Sequence, residues 1–157
     1  SQPNGHYNHL DVLNLVRASG SIPQFIADHH IDNGILYACV RQNVPFVLTS
    51  SIRDDGPLPE VIGNAYKGQG EMRKLVKKCT TIICLATMLH TIAAGNMTPS
   101  FRVLPDGTIR PVYLYSVDAD EFVVNKLLDR GSLAATTIVT NVQDFITIIA
   151  KGLGVMK

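Results

Sequence analysis

Tryptophan is absent from this 157-residue chain, and cysteine occurs three times, at Cys39, Cys79 and Cys84. An odd number of thiols with no Cys-x-x-Cys pair points away from a disulfide framework or a cysteine zinc site. Two of the three lie in or beside apolar runs, where cysteine acts as a small hydrophobe, so reduced core thiols are expected. A surplus of one charge is missing too: 14 Lys and Arg against 13 Asp and Glu leave a net charge of +1. That offers no field to a phosphate backbone, and no Lys/Arg cluster alternates with aromatics, which excludes nucleic acid as a partner. No apolar run reaches the roughly 18 residues of a membrane span, and the polar opening SQPNGHYNH lacks the charged-then-apolar order of a signal peptide. A cytoplasmic protein without a membrane partner is expected.

Several chemical signatures are lacking as well. His6 and His9 are close and His29 and His30 adjacent, yet no HExxH or Cys/His quartet accompanies them, so surface or capping roles are expected and no metal. Cys39 has no activating neighbour that would make it a nucleophile. A GxGxxG phosphate loop is missing: Gly68-Gln69-Gly70 has Arg73 where the third glycine belongs and follows no strand.

What is present is apolar: 46% of residues are hydrophobic and 17% charged, enough for one compact domain over residues 1–157 with a sizeable core. Leu10, Leu13, Leu15 and Val16 recur near helical spacing, with Asn8 as a cap and Gly20 as a stop. A short helix follows around Ile26, and another after Asp32 carries Ile35, Leu36, Ala38, Cys39 and Val40. Then PFVLTSSI (Pro45 to Ile52) and TTIICLAT (Thr80 to Thr87) read as strands, with a helix around Glu71 to Lys78 between them. VYLYSV (Val112 to Val117) and AATTIVT (Ala134 to Thr140) read as two more strands, each followed by an amphipathic helix. Residues 98–112 hold two β-prone pieces split by Pro105, Asp106 and Gly107, a hairpin excursion from the sheet. Near-continuous apolar strands alternating with helices predict an α/β fold with a mostly parallel sheet covered on both faces.

Ligands of such sheets bind beyond the carboxyl ends of the strands. Four exits qualify. The first carries Ser50, Ser51, Arg53, Asp54 and Asp55 in a turn closed by Gly56 and Pro57; the second Thr87, Met88, Leu89 and His90; the third Asp118; the fourth Thr140, Asn141 and Val142. Arg53, Asp54 and Asp55 suit either a solvated charged turn or the recognition of hydroxyl or ammonium groups. Asp118 suits either a helix N-cap or the carboxylate that accepts ribose hydroxyls. The amides opening the helix after Thr87 suit a phosphate or another polar ligand group.

The segments GILYACVRQNVPFVLTSSIRDDGPLPEV, ATMLHTIAAGNMTP, VDAD, KLLDRGS and IVTNVQDF, in order from Gly34 to Phe145, resemble the ornithine cyclodeaminases of the LOR/SDH type. That resemblance implies a three-layer αβα, Rossmann-like fold similar to the NAD-binding domain of deoxyhypusine synthase. It also implies NAD-dependent conversion of L-ornithine to L-proline and ammonia, with an amino-acid substrate. Carried over by motif, the NAD contacts are Asp55, Thr87, Met88, Leu89, His90, Asp118, Asn141 and Val142, and Asp54 and His90 are the candidates for proton transfer or amine recognition. The family usually reads VDIN and VTDV where this chain has VDAD and VTNV, and its link in place of SFRVLPDGTIRP is shorter. It also carries a Gly-rich turn and a GNA motif that contact NAD, expected ahead of Ser1. A complementary chain or upstream segment and a homo- or hetero-oligomer are therefore expected. The alternatives are a non-catalytic NAD-binding or assembly subunit and a related amino-acid dehydrogenase acting on another amine.

Overall fold

The structure is a computed structural model whose described residues are 5–50, 58–128 and 134–156. The chain divides into two compact units, Ser1–Glu71 and Met72–Lys157.

The first unit is helical. It holds α1 (Gly5–Ser19), α2 (Ile22–Asp28), α3 (Ile35–Arg41) and the start of α4 (Ala65–Val76). No proline or β-branched residue stands between Gly5 and Leu10, so α1 begins at Gly5 and Asn8 lies inside it rather than capping it. Gly20, at φ 78°, ends α1, and Ser21 opens α2 by accepting the Gln24 N–H at 3.2 Å. Val16 and Ile22 are buried. Around them Val12, Phe25 and Leu36 line an open apolar cleft of about 440 Å³.

The strand expected over Pro45 to Ile52 does not form among its described residues. Thr49 makes an isolated parallel bridge to Ile62, with Ser50 N–H donating to Ile62 C=O at 3.2 Å and Ile62 N–H to Leu48 C=O at 2.9 Å. The partner segment stops the ladder on both sides. Glu60 is left-handed, at φ 68°, and α4 begins three residues beyond Ile62.

Gly68, read in sequence as part of a failed phosphate loop, sits buried on α4 against that bridge. An added Cβ would lie 2.9 Å from Thr49 Cγ2, whereas one at Gly70 would meet nothing within 4 Å. Both are interior helix glycines, for which alanine gains about 1 kcal/mol of helix propensity. Gly70→Ala is therefore expected to raise stability by about 0.5–1 kcal/mol. Gly68→Ala is expected to lower it by about 1 kcal/mol, because overpacking costs about 1–3 kcal/mol. Thermal melts of the two variants check this, and equal shifts of the same sign would refute the packing role of Gly68.

The second unit is the α/β layer. In chain order it contains β1 (Thr81–Leu85), α5 (Met88–Met97), β2 (Phe101–Val103), β3 (Ile109–Pro111), β4 (Tyr113–Asp118), α6 (Glu121–Leu128), β5 (Ala134–Val139) and α7 (Val142–Gly152). β1, β4 and β5 form a sheet in the order β1-β4-β5, parallel throughout. Each crossover uses a helix, as parallel neighbours require. α5 contacts α6, α6 packs along β4 and β5, and α7 reaches β4.

Side chains alternate between the two faces of the sheet. On one face Ile82, Cys84, Leu114 and Ala135 pack with Ala94 of α5 and Met72 of α4, and Leu114 is 1% exposed. The opposite face is closed at its carboxyl end, where Val117 is 1% exposed, and open behind it, at Ile83 in the middle of β1 (47% exposed) and at Tyr113. The expected covering of both faces is thus incomplete within the described residues.

Residues 98–112 form the expected hairpin, with β2 and β3 antiparallel. Its turn is closed by Gly107 at φ 82° and by Asp106, whose Oδ1 accepts the Thr108 N–H at 2.9 Å. That bond holds the Asp106 carboxyl below its ordinary value of 3.8. Register places Arg102 opposite Arg110 on one face and Phe101, Val103, Ile109 and Pro111 on the other. Arg102 fastens the ribbon to the turn ahead of β1 by donating to the Lys78 carbonyl. Among the described residues no helix is long and apolar enough to cross a membrane.

Candidate functional site

Leu85, Val117 and Ile138 stand side by side in the register of β1, β4 and β5, so the three strands leave the sheet at one level. Adjacent strands lie about 4.8 Å apart, which puts three of the four expected exits along a single edge about 10 Å wide. Asp54 and Asp55, at the remaining exit, lie outside the described residues.

The exit of β1 is bent. Ala86 is left-handed at φ 50°, a conformation that costs a non-glycine residue about 1–3 kcal/mol, and its N–H donates to Val117 C=O at 2.9 Å. Thr87 follows in extended backbone as the N-cap of α5, yet its side chain makes no capping bond. Its Oγ1 lies 3.3 Å from Nδ1 of His90 instead, and its carbonyl accepts the hydroxyl of Thr91. Thr91 is 1% exposed, while Leu89 and His90 are exposed and Met88 is half-buried. The amides of the first turn of α5 thus open onto the edge without a side-chain cap.

The exit of β4 separates the two readings of Asp118. Asp120, not Asp118, serves the start of α6: its Oδ1 accepts the Phe122 N–H at 2.9 Å and its carbonyl accepts the Val124 N–H at 3.3 Å. Asp118 ends the central strand with Oδ1 accepting the Asp120 N–H at 3.0 Å. Its other oxygen has no partner among the described residues. A carboxylate released from capping, half-buried and central at the carboxyl edge, is able to accept hydroxyl groups of a ligand.

At the exit of β5, Asn141 caps α7, its Oδ1 accepting the Gln143 N–H at 2.8 Å, with Val142 half-buried beside it. Asparagine and aspartate cap equally well, so the residue that differs from the family's usual VTDV keeps the local backbone geometry. The Thr140 N–H donates to Asp118 C=O at 2.9 Å, which ties the exits of β4 and β5 together.

Just behind the edge, burial pushes the Cys84 thiol above its ordinary value, opposed by a hydrogen bond with Thr91. A buried, protonated thiol is a core group, as expected, and not a nucleophile. Two features escaped the sequence reading. Alanine carries no signal for a left-handed backbone, so Ala86 could not be found. A Gly-Asn-Ala triplet, expected ahead of Ser1, stands within the chain at Gly63, Asn64 and Ala65. There Asn64 opens α4 by accepting the Lys67 N–H at 3.0 Å.

A parallel sheet with helical crossovers, polar at the carboxyl ends of its strands and carrying an acidic residue at the end of the central one, defines an α/β domain of the Rossmann type. The family described as arginine dihydrolase ArgZ-like, C-terminal, Rossmann fold matches residues 1–149, and the chain belongs to it. Ornithine cyclodeaminase of Methanocaldococcus jannaschii is 40% identical over 153 residues, 98% of this chain and 34% of that protein. The bifunctional arginine dihydrolase/ornithine cyclodeaminase ArgZ of Synechocystis is 39% identical over 149 residues, 95% of this chain and 20% of that protein. Among solved structures, the ternary complex of AgrE with ornithine and NAD+ superposes with a TM-score of 0.82 at 40% identity, over 98% of this chain and 21% of that one. A LOR/SDH protein from Methanococcus maripaludis S2 superposes with a TM-score of 0.83 at 35% identity, over 96% of this chain and 42% of that one. The chain therefore spans about a fifth to a third of the length of these curated relatives.

Proposed function

We propose that residues 1–157 are an NAD-binding domain, or the C-terminal part of one, in an ornithine cyclodeaminase that converts L-ornithine to L-proline and ammonia. The observation that carries the reading is the release of Asp118 from helix capping at an edge where three strand exits are in register. The AgrE complex with ornithine and NAD+ supports it at 40% identity.

The residues present fit the cofactor. The free oxygen of Asp118 suits a pair of ribose hydroxyls, and the uncapped amides after Thr87 suit a polar or anionic group. Met88, Leu89 and Val142 provide apolar surface for a ring, and Asn141 retains amide hydrogens for one more polar contact. Bound there, NAD supplies the acceptor for a hydride from the amine-bearing carbon and the means of returning it to the cyclic imine. The side chains of this chain orient the ligands, exclude water and move protons. His90 presents an exposed ring for proton exchange, and Asp54 and Asp55 belong to the amine and cofactor sides respectively. Because the relatives are about three times longer or more, the opposite wall of the site comes from another segment of the same protein or from a partner chain in an oligomer.

The test is made on the full-length protein or its native complex, by calorimetric titration with NAD and by measuring proline and ammonia from ornithine. Saturable NAD binding with turnover is expected. Binding without turnover would replace the enzyme with an NAD-binding assembly subunit, and turnover of another amine alone would replace the substrate. No NAD binding would overturn the reading.

A further inference from the structure

Thr87 spends its hydroxyl in an unusual way for an N-cap. A cap threonine ordinarily accepts the N–H of the second or third helical residue, as Ser21 does at α2 and Asn141 at α7. Thr87 occupies the cap position of α5 and makes no such bond. Its hydroxyl faces Nδ1 of His90, the third helical residue, at 3.3 Å. Two further constraints hold the backbone from which that hydroxyl projects. Ala86 immediately before it is left-handed and pinned to Val117, and the Thr87 carbonyl is held by the buried hydroxyl of Thr91. The bond from Thr91 repeats the ordinary helical back-bond seen at Thr98 and Thr147. What sets this one apart is that it closes on the cap residue itself, beside a strained residue at the ligand edge.

We propose that Thr87 is a positioning residue for His90. Its hydroxyl engages Nδ1, and Nε2 is left as the ring nitrogen that exchanges protons with a ligand. The inference rests on the reading of His90 given above and deepens it. With Nδ1 engaged, the ring loses rotation about its χ2 axis. A proton taken up at Nε2 then leaves an imidazolium whose Nδ1–H donates to Thr87 Oγ1, and its release returns the ring to neutrality with that bond kept. Both nitrogens of a histidine are chemically competent, and the bond made by one decides what the other does. The same diversion leaves the first amides of α5 uncapped, so one side-chain choice serves both proton exchange and ligand contact.

The experiment is nitrogen NMR of the His90 ring in the full-length protein without added ligand, for the wild type, Thr87→Val and Thr87→Ser. Valine keeps the branched shape and removes the hydroxyl, and serine restores the hydroxyl on a smaller side chain. The proposal expects Nδ1 of the wild type to be displaced from its position in a freely exchanging imidazole, to return there in Thr87→Val and to be displaced again in Thr87→Ser. Turnover of ornithine should fall by about tenfold or more in Thr87→Val and recover in Thr87→Ser, since general acid–base catalysis contributes about 10²–10⁴-fold. A wild-type Nδ1 at the free-imidazole position would overturn the proposal without any variant, as would an unchanged Nδ1 in Thr87→Val. The ring signal requires no NAD. A protein that binds no cofactor but shows the Thr87-dependent signal would refute the proposed function and leave the positioning role standing.

Discussion

Replacing Asp118 with alanine is expected to weaken NAD binding by about 10–100-fold, because a hydrogen bond to a charged group contributes about 1.5–3 kcal/mol. The fold should survive. Asp118 is half-buried at the end of β4, and the cap of α6 belongs to Asp120. The complementary variant separates affinity from stability: Asp120→Ala should cost about 1 kcal/mol through loss of the cap and leave NAD affinity nearly unchanged. Calorimetric titration and thermal melts of both variants in the full-length protein give the comparison. Equal NAD affinity for wild type and Asp118→Ala would remove Asp118 from the cofactor site, and a larger affinity loss in Asp120→Ala would reverse the two roles.

Leu114→Ala should destabilise the domain by about 2–5 kcal/mol, the range for truncating a large aliphatic side chain in a packed core. Leu114 is 1% exposed on the central strand β4, packed with Cys84 and Ala94. Its flanking strands fix the backbone, so little collapse can fill the space left behind. Ile83→Ala, on the open part of the other face, loses less because Ile83 is already 47% exposed. Denaturant unfolding of the two variants tests the contrast. Equal losses would mean that the face carrying Ile83 is covered by other parts of the assembled protein.

Much of the α/β unit was legible because its signals are local. TTIICLAT, VYLYSV and AATTIVT are apolar, β-rich and bounded by polar residues, and each became a strand within one or two residues of its expected limits. PFVLTSSI carries the same composition, yet its described residues, 45–50, form no strand, because pairing requires a second segment. Its partner has left-handed Glu60 on one side and the start of α4 on the other, neither of which the run itself encodes.

The site was legible in position more than in detail. The rule of the carboxyl edge named Thr87 to His90, Asp118 and Asn141 as candidates, and the register brings the strand ends that carry them to one level. It offered the cap to Asp118 alone, whereas DAD places two good capping residues two positions apart and only backbone geometry chooses between them. The diversion of Thr87 toward His90 was hidden for the same reason. A threonine three residues before a histidine is compatible with capping or with ring contact, and only the folded geometry shows the second.

The hairpin of β2 and β3 bears on how the sheet is assembled. Parallel neighbours β1 and β4 are separated in sequence by a helix and the whole excursion, so their pairing must wait for a long loop to close, which is slow. The hairpin's own contacts are local and of a kind that form in about 1–10 μs. Once formed, it brings its two ends together, with Val112 N–H donating to Ser100 C=O at 3.1 Å. The chain between β1 and β4 is then shortened to little more than α5. An insertion that lengthens the loop on paper removes itself from the closure, and the entropy of pairing β1 with β4 is set mainly by the helix.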